Sequence, residues 1–425
     1  MTDQQISALG PAFSNFLQSY RDCFLQARTR QHFDNYCRGL LSDLPRKSVE
    51  PIALASGTSV RTLQEFLATS QWDHDGMLRQ FQKRMAGVVG ELPRDPLGIV
   101  GVIDETSCVK KGDKTPGVQR HYLGSSGKVE NGIVTVHVGV AVGRFRTLLD
   151  ADLYLPKSWA EDRVRCRAAG IPDAVGHRPK WRIAFEQLMR LHDAGQRFDW
   201  LTFDEDYGGK TPFLRLLMAV GQKFVAEIPR NFWVYTRRGP QRADAVLSAR
   251  QAKRGRRHRL RRETQRDQIW RAVRQRVAVA GRRVTLVIAI NESTAEVKYF
   301  LTNAVASLKR VLAVAFRRAT VEHLFRVAKQ EVGLMHFEGR QYIGLLRHLI
   351  LSLLVLGFAA IQTDRLRGEK SAGDAGAGLS GLERTLRGTA DASATHPTAS
   401  ANRPSQPLSS TTQRASGSLP QKTAA

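Results

Sequence analysis

Little in this chain could make a disulfide framework. Only four cysteines occur in 425 residues, Cys23, Cys37, Cys108 and Cys166, and they are widely scattered. No CxxC pair or Cys/His ligand spacing is present, so neither a structural zinc site nor a bridged secreted scaffold is indicated. A reduced, cytoplasmic compartment, in a bacterium beside the nucleoid, fits instead. Long apolar runs are also missing: the longest, Leu349 to Ile361, is about 13 residues, short of the ~20 needed for a bilayer span. It reads as a buried helix, and no membrane partner is expected. The N-terminus, Met1-Thr-Asp-Gln-Gln-Ile6, has no signal-peptide h-region. Acidic residues are scarce: 39 Asp and Glu stand against 65 Lys and Arg, a net charge of +26. That imbalance selects a polyanion as partner, because release of condensed counter-ions drives binding to phosphates.

What is present is enough apolar sequence, 42% of the chain, for two or three packed domains. Residues 1–95 read as helical, a DNA-binding or dimerisation unit. Phe13, Phe16 and Leu17, then Phe33, Tyr36, Leu40 and Leu41, follow the i, i+3, i+4 pattern. From Pro96 the pattern turns to strands. Leu97 to Ile103 is a continuous apolar run stopping at Asp104, as expected of a strand buried on both faces. Strands come next at Gly132–Val142 and Thr147–Leu155, then a helix over 180–195. Trp200–Phe203 is a short strand ending at Asp204. A helix over Pro212–Val220 and a strand over Lys223–Ile228 complete a first catalytic segment, 96–229. Residues 230–305 read as a basic, partly β insertion; Arg250 to Arg262 holds eight Lys/Arg in thirteen residues. Two helices, about 307–334 and 340–362, close the core at 306–365. The last 60 residues, 366–425, are rich in Ala, Gly, Ser, Thr and Pro and are expected to be a disordered tail.

Three acids stand out. In Val321-Glu-His-Leu-Phe-Arg-Val-Ala-Lys329, Glu322, Arg326 and Lys329 fall at i, i+4 and i+7, which is one side of a helix. The apolar stripe Val321, Phe325, Ala328 and Val332 runs one residue out of phase. One face can therefore anchor the helix while the next presents the charges. Asp104 and Asp204 end strands far upstream, and strand ends are rigid places from which carboxylates can converge. Carboxylates of this kind can hold a pair of Mg²⁺ ions for phosphodiester cleavage, with Lys329 and Arg326 on phosphate oxygens. Taken singly, each acid also reads as a helix cap, a turn former or an i,i+4 ion pair. At the second position Asp204, Glu205 and Asp206 stay open.

These blocks resemble the DDE transposases of bacterial insertion sequences, specifically the DDE superfamily endonuclease branch. Tyr36 to Ile52 and Leu63 to Asp73 are similar to its N-terminal signature. Asp104-Glu-Thr with Lys110-Lys-Gly, Gly117 to Gly124 and Gly127 to Asn131 resemble the block around the first catalytic aspartate. Asp204-Glu-Asp-Tyr-Gly208 resembles the second, which selects Asp204; Glu322 with Lys329 resembles the third acid and its DNA-contacting lysine. Gly333 to Arg340 and Arg347-His-Leu resemble the family's segment downstream of that lysine. The resemblance implies an RNase H-like mixed sheet with flanking helices, and Mg²⁺ (or Mn²⁺) on Asp104, Asp204 and Glu322. It also implies binding of double-stranded DNA at terminal inverted repeats, cleavage, and transfer of 3′-hydroxyl ends into target DNA by a homodimer or higher multimer. Lys329, which the resemblance marks as a DNA contact, is joined by Arg326 and Arg318 as the first DNA contacts expected. Lys110 and Lys111 in the loop after Asp104, Arg340, and Arg256 and Arg257 in the basic run are further ones. The chain departs from the pattern at Ala315, Ala319 and Met335, where a tyrosine, a tryptophan and an acid are usual. A decayed transposase that only binds its ends is the alternative.

Overall fold

The computed structural model describes residues 3–124, 126–260 and 267–368. Among the described residues, twelve strands form one mixed sheet. They are β1 (Val100–Val109), β2 (Gln119–Leu123), β3 (Lys128–Val142), β4 (Phe145–Leu153), β5 (Trp200–Phe203), β6 (Phe224–Ile228), β7 (Trp233–Thr236), β8 (Gly239–Arg242), β9 (Arg256–Leu260), β10 (Gln268–Val279), β11 (Arg282–Asn291) and β12 (Val297–Thr302). The order is β2-β3-β1-β5-β6-β12-β11-β10-β7-β8, with β4 also paired to β3 and β9 to β10.

The heart of the sheet is β4-β3-β1-β5-β6. β1, β3 and β4 are antiparallel neighbours, whereas β5 lies parallel to β1 and β6 parallel to β5. This is the RNase H-like arrangement. β5 is buried along its whole length, Thr202 included, as befits a strand covered on both faces. The strands of 230–305 continue the same sheet, since β12 pairs antiparallel with β6 over Tyr299–Thr302.

Three expectations need correction. β1 does not stop at Asp104; it runs on to Val109, each residue paired with the 15-residue β3. The ladder satisfies the backbone of Asp104–Val109, so polar side chains do not end the strand. The expected helix over 307–334 is two, Leu308–Arg317 and Ala319–Glu331. They are joined at Arg318 by i→i+3 bonds, Arg318 N–H to Ala315 O and Val321 N–H to Arg318 O, the tighter turn common where a helix is interrupted. The last helix runs Tyr342–Gly368 rather than 340–362. Residues 366–368 thus belong to it; the rest of the expected tail, and Arg261 and Arg262 of the basic run, lie outside the described residues.

That last helix is long and apolar enough to pass as a membrane span by composition, yet 89% of the apolar window is buried inside the protein. It is apolar all round because it is covered all round. β4 packs against it, and so do the N-terminal helices Asp3–Gln18, Ala27–Leu41, Val60–Ala68 and His74–Glu91. The Phe13 and Phe16 rings lie 4.8 and 5.4 Å from that of Phe358. The Tyr36 hydroxyl meets His348 Nδ1 at 2.8 Å. Arg347 donates to the carbonyls of Phe66, Leu67 and Trp72 and lies over the Trp72 ring.

Candidate active site

β1 and β5 run parallel in the register Val100↔Trp200, Val102↔Thr202. Two residues beyond that pair are Asp104 and Asp204, so neighbouring strands bring the two acids side by side. Their environment reflects it. Burial pushes the Asp104 carboxyl up to about 6; Arg318 and the Glu105 N–H (2.8 Å) pull the other way, and Glu105 and Glu322 add to the rise. Burial pushes Asp204 up to about 7, with Asp104 as the next cause. Like charges in a poorly hydrated site disfavour double ionisation. Asp204 also caps the short turn Glu205–Gly208, accepting from the Asp206 N–H at 3.1 Å.

The Ala319–Glu331 helix lies across this face. The antiparallel register sets His137 opposite Asp104, and the His137 ring meets Phe325 edge-on at 5.1 Å. Val321, Leu324, Phe325, Val327, Ala328 and Val332 are all buried, which seats the helix. Glu322 remains exposed beside them. Arg318, at the junction of the two helices, ties the acids together. Its Nη1 lies 3.3 Å from Asp104 Oδ2 and 3.6 Å from Glu322 Oε1. Burial works against its charge, but Asp104, Glu227, Asp204 and Glu322 outweigh that and raise its pKa.

The other candidates scatter. Lys329 reaches the Ser107 carbonyl at 3.4 Å on β1; burial lowers its pKa while Cys108 and Asp104 oppose the change. Arg326 is exposed and contacts Gln330 and His323. The Lys110 amine donates to the carbonyls of Met335 (3.1 Å) and Phe337 (2.5 Å), which fastens the loop after β1 to the segment before the last helix. Lys111 and Arg340 are exposed. Arg256 and Arg257 are adjacent on β9 and therefore point to opposite faces. Arg257 pairs with Glu292, which Arg271 shares. Sequence reasoning missed a polar group around Glu105, which follows Asp104 on β1 and points to the other face of the sheet: Lys180 Nζ lies 2.5 Å from Glu105 Oε1, and the buried Tyr207 hydroxyl lies 3.5 Å from Glu105 Oε2. Glu105 and Tyr207 sit within the two acidic blocks, but nothing in the spacing of Lys180 links it to them.

The donor set suits a hard divalent cation. It is all oxygen, burial and then repulsion from neighbouring carboxylates raise the pKa of both aspartates, and the Arg318 guanidinium already stands as a cation between Asp104 and Glu322. Among the described residues, no three acid, His or Cys side chains converge as a ready ligand set.

With an RNase H-like sheet and paired aspartates at its centre, the chain belongs to the DDE superfamily endonuclease family, which matches residues 19–289. That span includes Asp104 and Asp204 and ends before Glu322. Family membership supports nuclease-type catalysis, and such endonucleases generally use divalent metal ions. The chain is 34% identical over 223 residues to the probable transposase for insertion sequence element IS701 of Microchaete diplosiphon. The alignment covers 52% of this chain and 54% of that protein, so the chain spans about half the length of this relative.

Proposed function

We propose that this chain is the transposase of an insertion sequence. It would bind the terminal inverted repeats as a homodimer or higher multimer, cleave at the element ends and join the 3′-hydroxyls to target DNA. Asp104, Asp204 and Glu322 would hold Mg²⁺, with Mn²⁺ as a substitute. The ions, when bound, activate the attacking oxygen and neutralise charge on the leaving one. Lys329 and Arg326 would take the phosphates next to the scissile bond. Arg318 would leave the carboxylates for a phosphate as the cation enters. The reading is carried by one observation: Asp104 on β1 and Asp204 just past the end of the adjacent parallel β5 lie under the helix that bears Glu322, and Arg318 ties the first and third acids together.

The same ion pairs, with Ala315 and Ala319 where aromatic residues are usual, favour one other reading: a decayed transposase that binds ends without cutting them. Nicking of end duplex by the full chain in Mg²⁺ separates the two. We expect nicking that falls to background in Asp104→Ala while end binding is retained. Binding with no nicking in either Mg²⁺ or Mn²⁺ would establish the decayed form. Nicking that survives Asp104→Ala would remove Asp104 from the site.

A further inference from the structure

The sheet face that carries Asp104 extends well beyond the acids. Thr202, Val225, Thr302, Thr285 and Arg276 are registered neighbours from β5 across to β10, so their side chains share that face. Thr202 donates to the Ala315 carbonyl of the Leu308–Arg317 helix, which covers this part of the row. The cover reaches Trp270, whose ring meets Phe316 at 4.6 Å, and then ends.

Past that edge, Trp233 and Tyr235 on β7 are 60% and 58% exposed, while Val234 between them is fully buried. Alternation puts both rings on one face, roughly 7 Å apart. Tyr235 registers with Ala278 of β10, two residues from Arg276 and opposite Arg283 of β11. Trp233 registers with Arg242 of β8. Arg276 and Arg283 are exposed, whereas Arg242 shares its charge with Asp244. Residues 268–283 contain five arginines and no acid, and residues 229–243 four arginines and no acid.

Large exposed rings are costly on a free surface unless something covers them. The surrounding arginines select a polyanion over an apolar protein face. A duplex hides the faces of its bases within the stack, so two exposed rings gain little from it. An unpaired strand offers a base face to each ring and phosphates to the arginines between them, the combination by which single strands are held without sequence preference. We propose that this face binds an unpaired DNA strand, with bases stacked on Trp233 and Tyr235 and phosphates on Arg276 and Arg283. It lies six strand spacings from Asp104, roughly 30 Å along the sheet, so the strand it holds would lie outside the cleavage site. The proposal rests on DNA being the substrate, as proposed above, but not on cleavage.

The test compares labelled dT20 with a 20-base-pair duplex, bound to the full chain and followed by anisotropy. Trp233→Ala with Tyr235→Ala should weaken dT20 binding by roughly tenfold or more, and by a clearly larger factor than it weakens duplex binding. Trp233→Phe with Tyr235→Phe should recover most of the loss, because the stacking surface remains. Arg276→Gln with Arg283→Gln should flatten the dependence of log affinity for dT20 on log salt by about 1.4. Unchanged dT20 binding in the double alanine variant would overturn the proposal, as would equal losses for dT20 and duplex. A shift from oligomer to monomer in sedimentation, with dT20 affinity kept, would make the face an interface between copies instead. Nicking is read separately: a chain that never nicks end DNA but loses dT20 binding on ring removal upholds this surface and refutes only the transposase reading.

Discussion

Asp104 and Asp204 hold their protons to higher pH than free aspartates because burial, and then mutual repulsion, opposes ionisation. An unfolded aspartate titrates near 3.9, against about 6 and about 7 here. The folded chain therefore binds more protons than the unfolded one between those values. The pair's contribution to stability is fully present below about pH 4 and is lost as pH rises toward 7. In metal-free buffer, the melting temperature of Asp204→Asn relative to the native chain should rise from pH 4 to pH 8. Mg²⁺ acts with the opposite sign, since it must displace those protons: the melting shift it induces should grow over the same range. A pH-independent difference would mean that Asp204 is not in the buried, like-charged environment described. At this scale the acids were legible in the sequence, because each ends an apolar run or sits beside a helical stripe. The partners of Arg318 and Lys110 were not. Whether a cation faces DNA, a carboxylate or a carbonyl depends on which distant segment packs against it.

Elements position these residues through close backbone contacts. A Cβ on Gly208 would lie 1.8 Å from the Glu227 carbonyl of β6, so Gly208→Ala must push the turn after Asp204 off the sheet. We expect lower thermal stability and a large loss of nicking with every acid still in place. Native nicking in that variant would show that the turn does not position Asp204. Phe325 anchors the Glu322 helix against His137. Phe325→Ala should cost about 3–5 kcal/mol in denaturant unfolding, as large aromatic cavities usually do. The phase of the Val321–Val332 stripe was readable from periodicity alone. The extent of β1 was not: its apolar run stops at Asp104, and only the length of β3 reveals that the ladder goes on.

Across the whole molecule, the net charge of +26 and the continuous sheet act together. Affinity for nonspecific duplex should fall steeply with salt. If six or more phosphates are engaged, log affinity should fall with log salt with a slope of about −5 or steeper; a shallow slope would argue against an extended phosphate-tracking surface. The sheet joins regions that look separate in sequence. Residues 230–305, which read as an insertion, hydrogen-bond to the core through β12 and β6. The N-terminal helices and β4 pack against the same Tyr342–Gly368 helix.

By itself the sequence determined the helical start, the strand-rich centre, the candidate acidic positions and a net charge that favours a polyanion, since local periodicity and composition are properties of neighbouring residues. Tertiary structure decided which groups meet. Strand order set Asp104 beside Asp204, the turn at Arg318 brought a guanidinium between Asp104 and Glu322, and register carried Trp233 and Tyr235 onto the face of the acids. Pairing over 100 or more residues of chain leaves no mark in any local window, because it is the shared burial of distant faces that selects it.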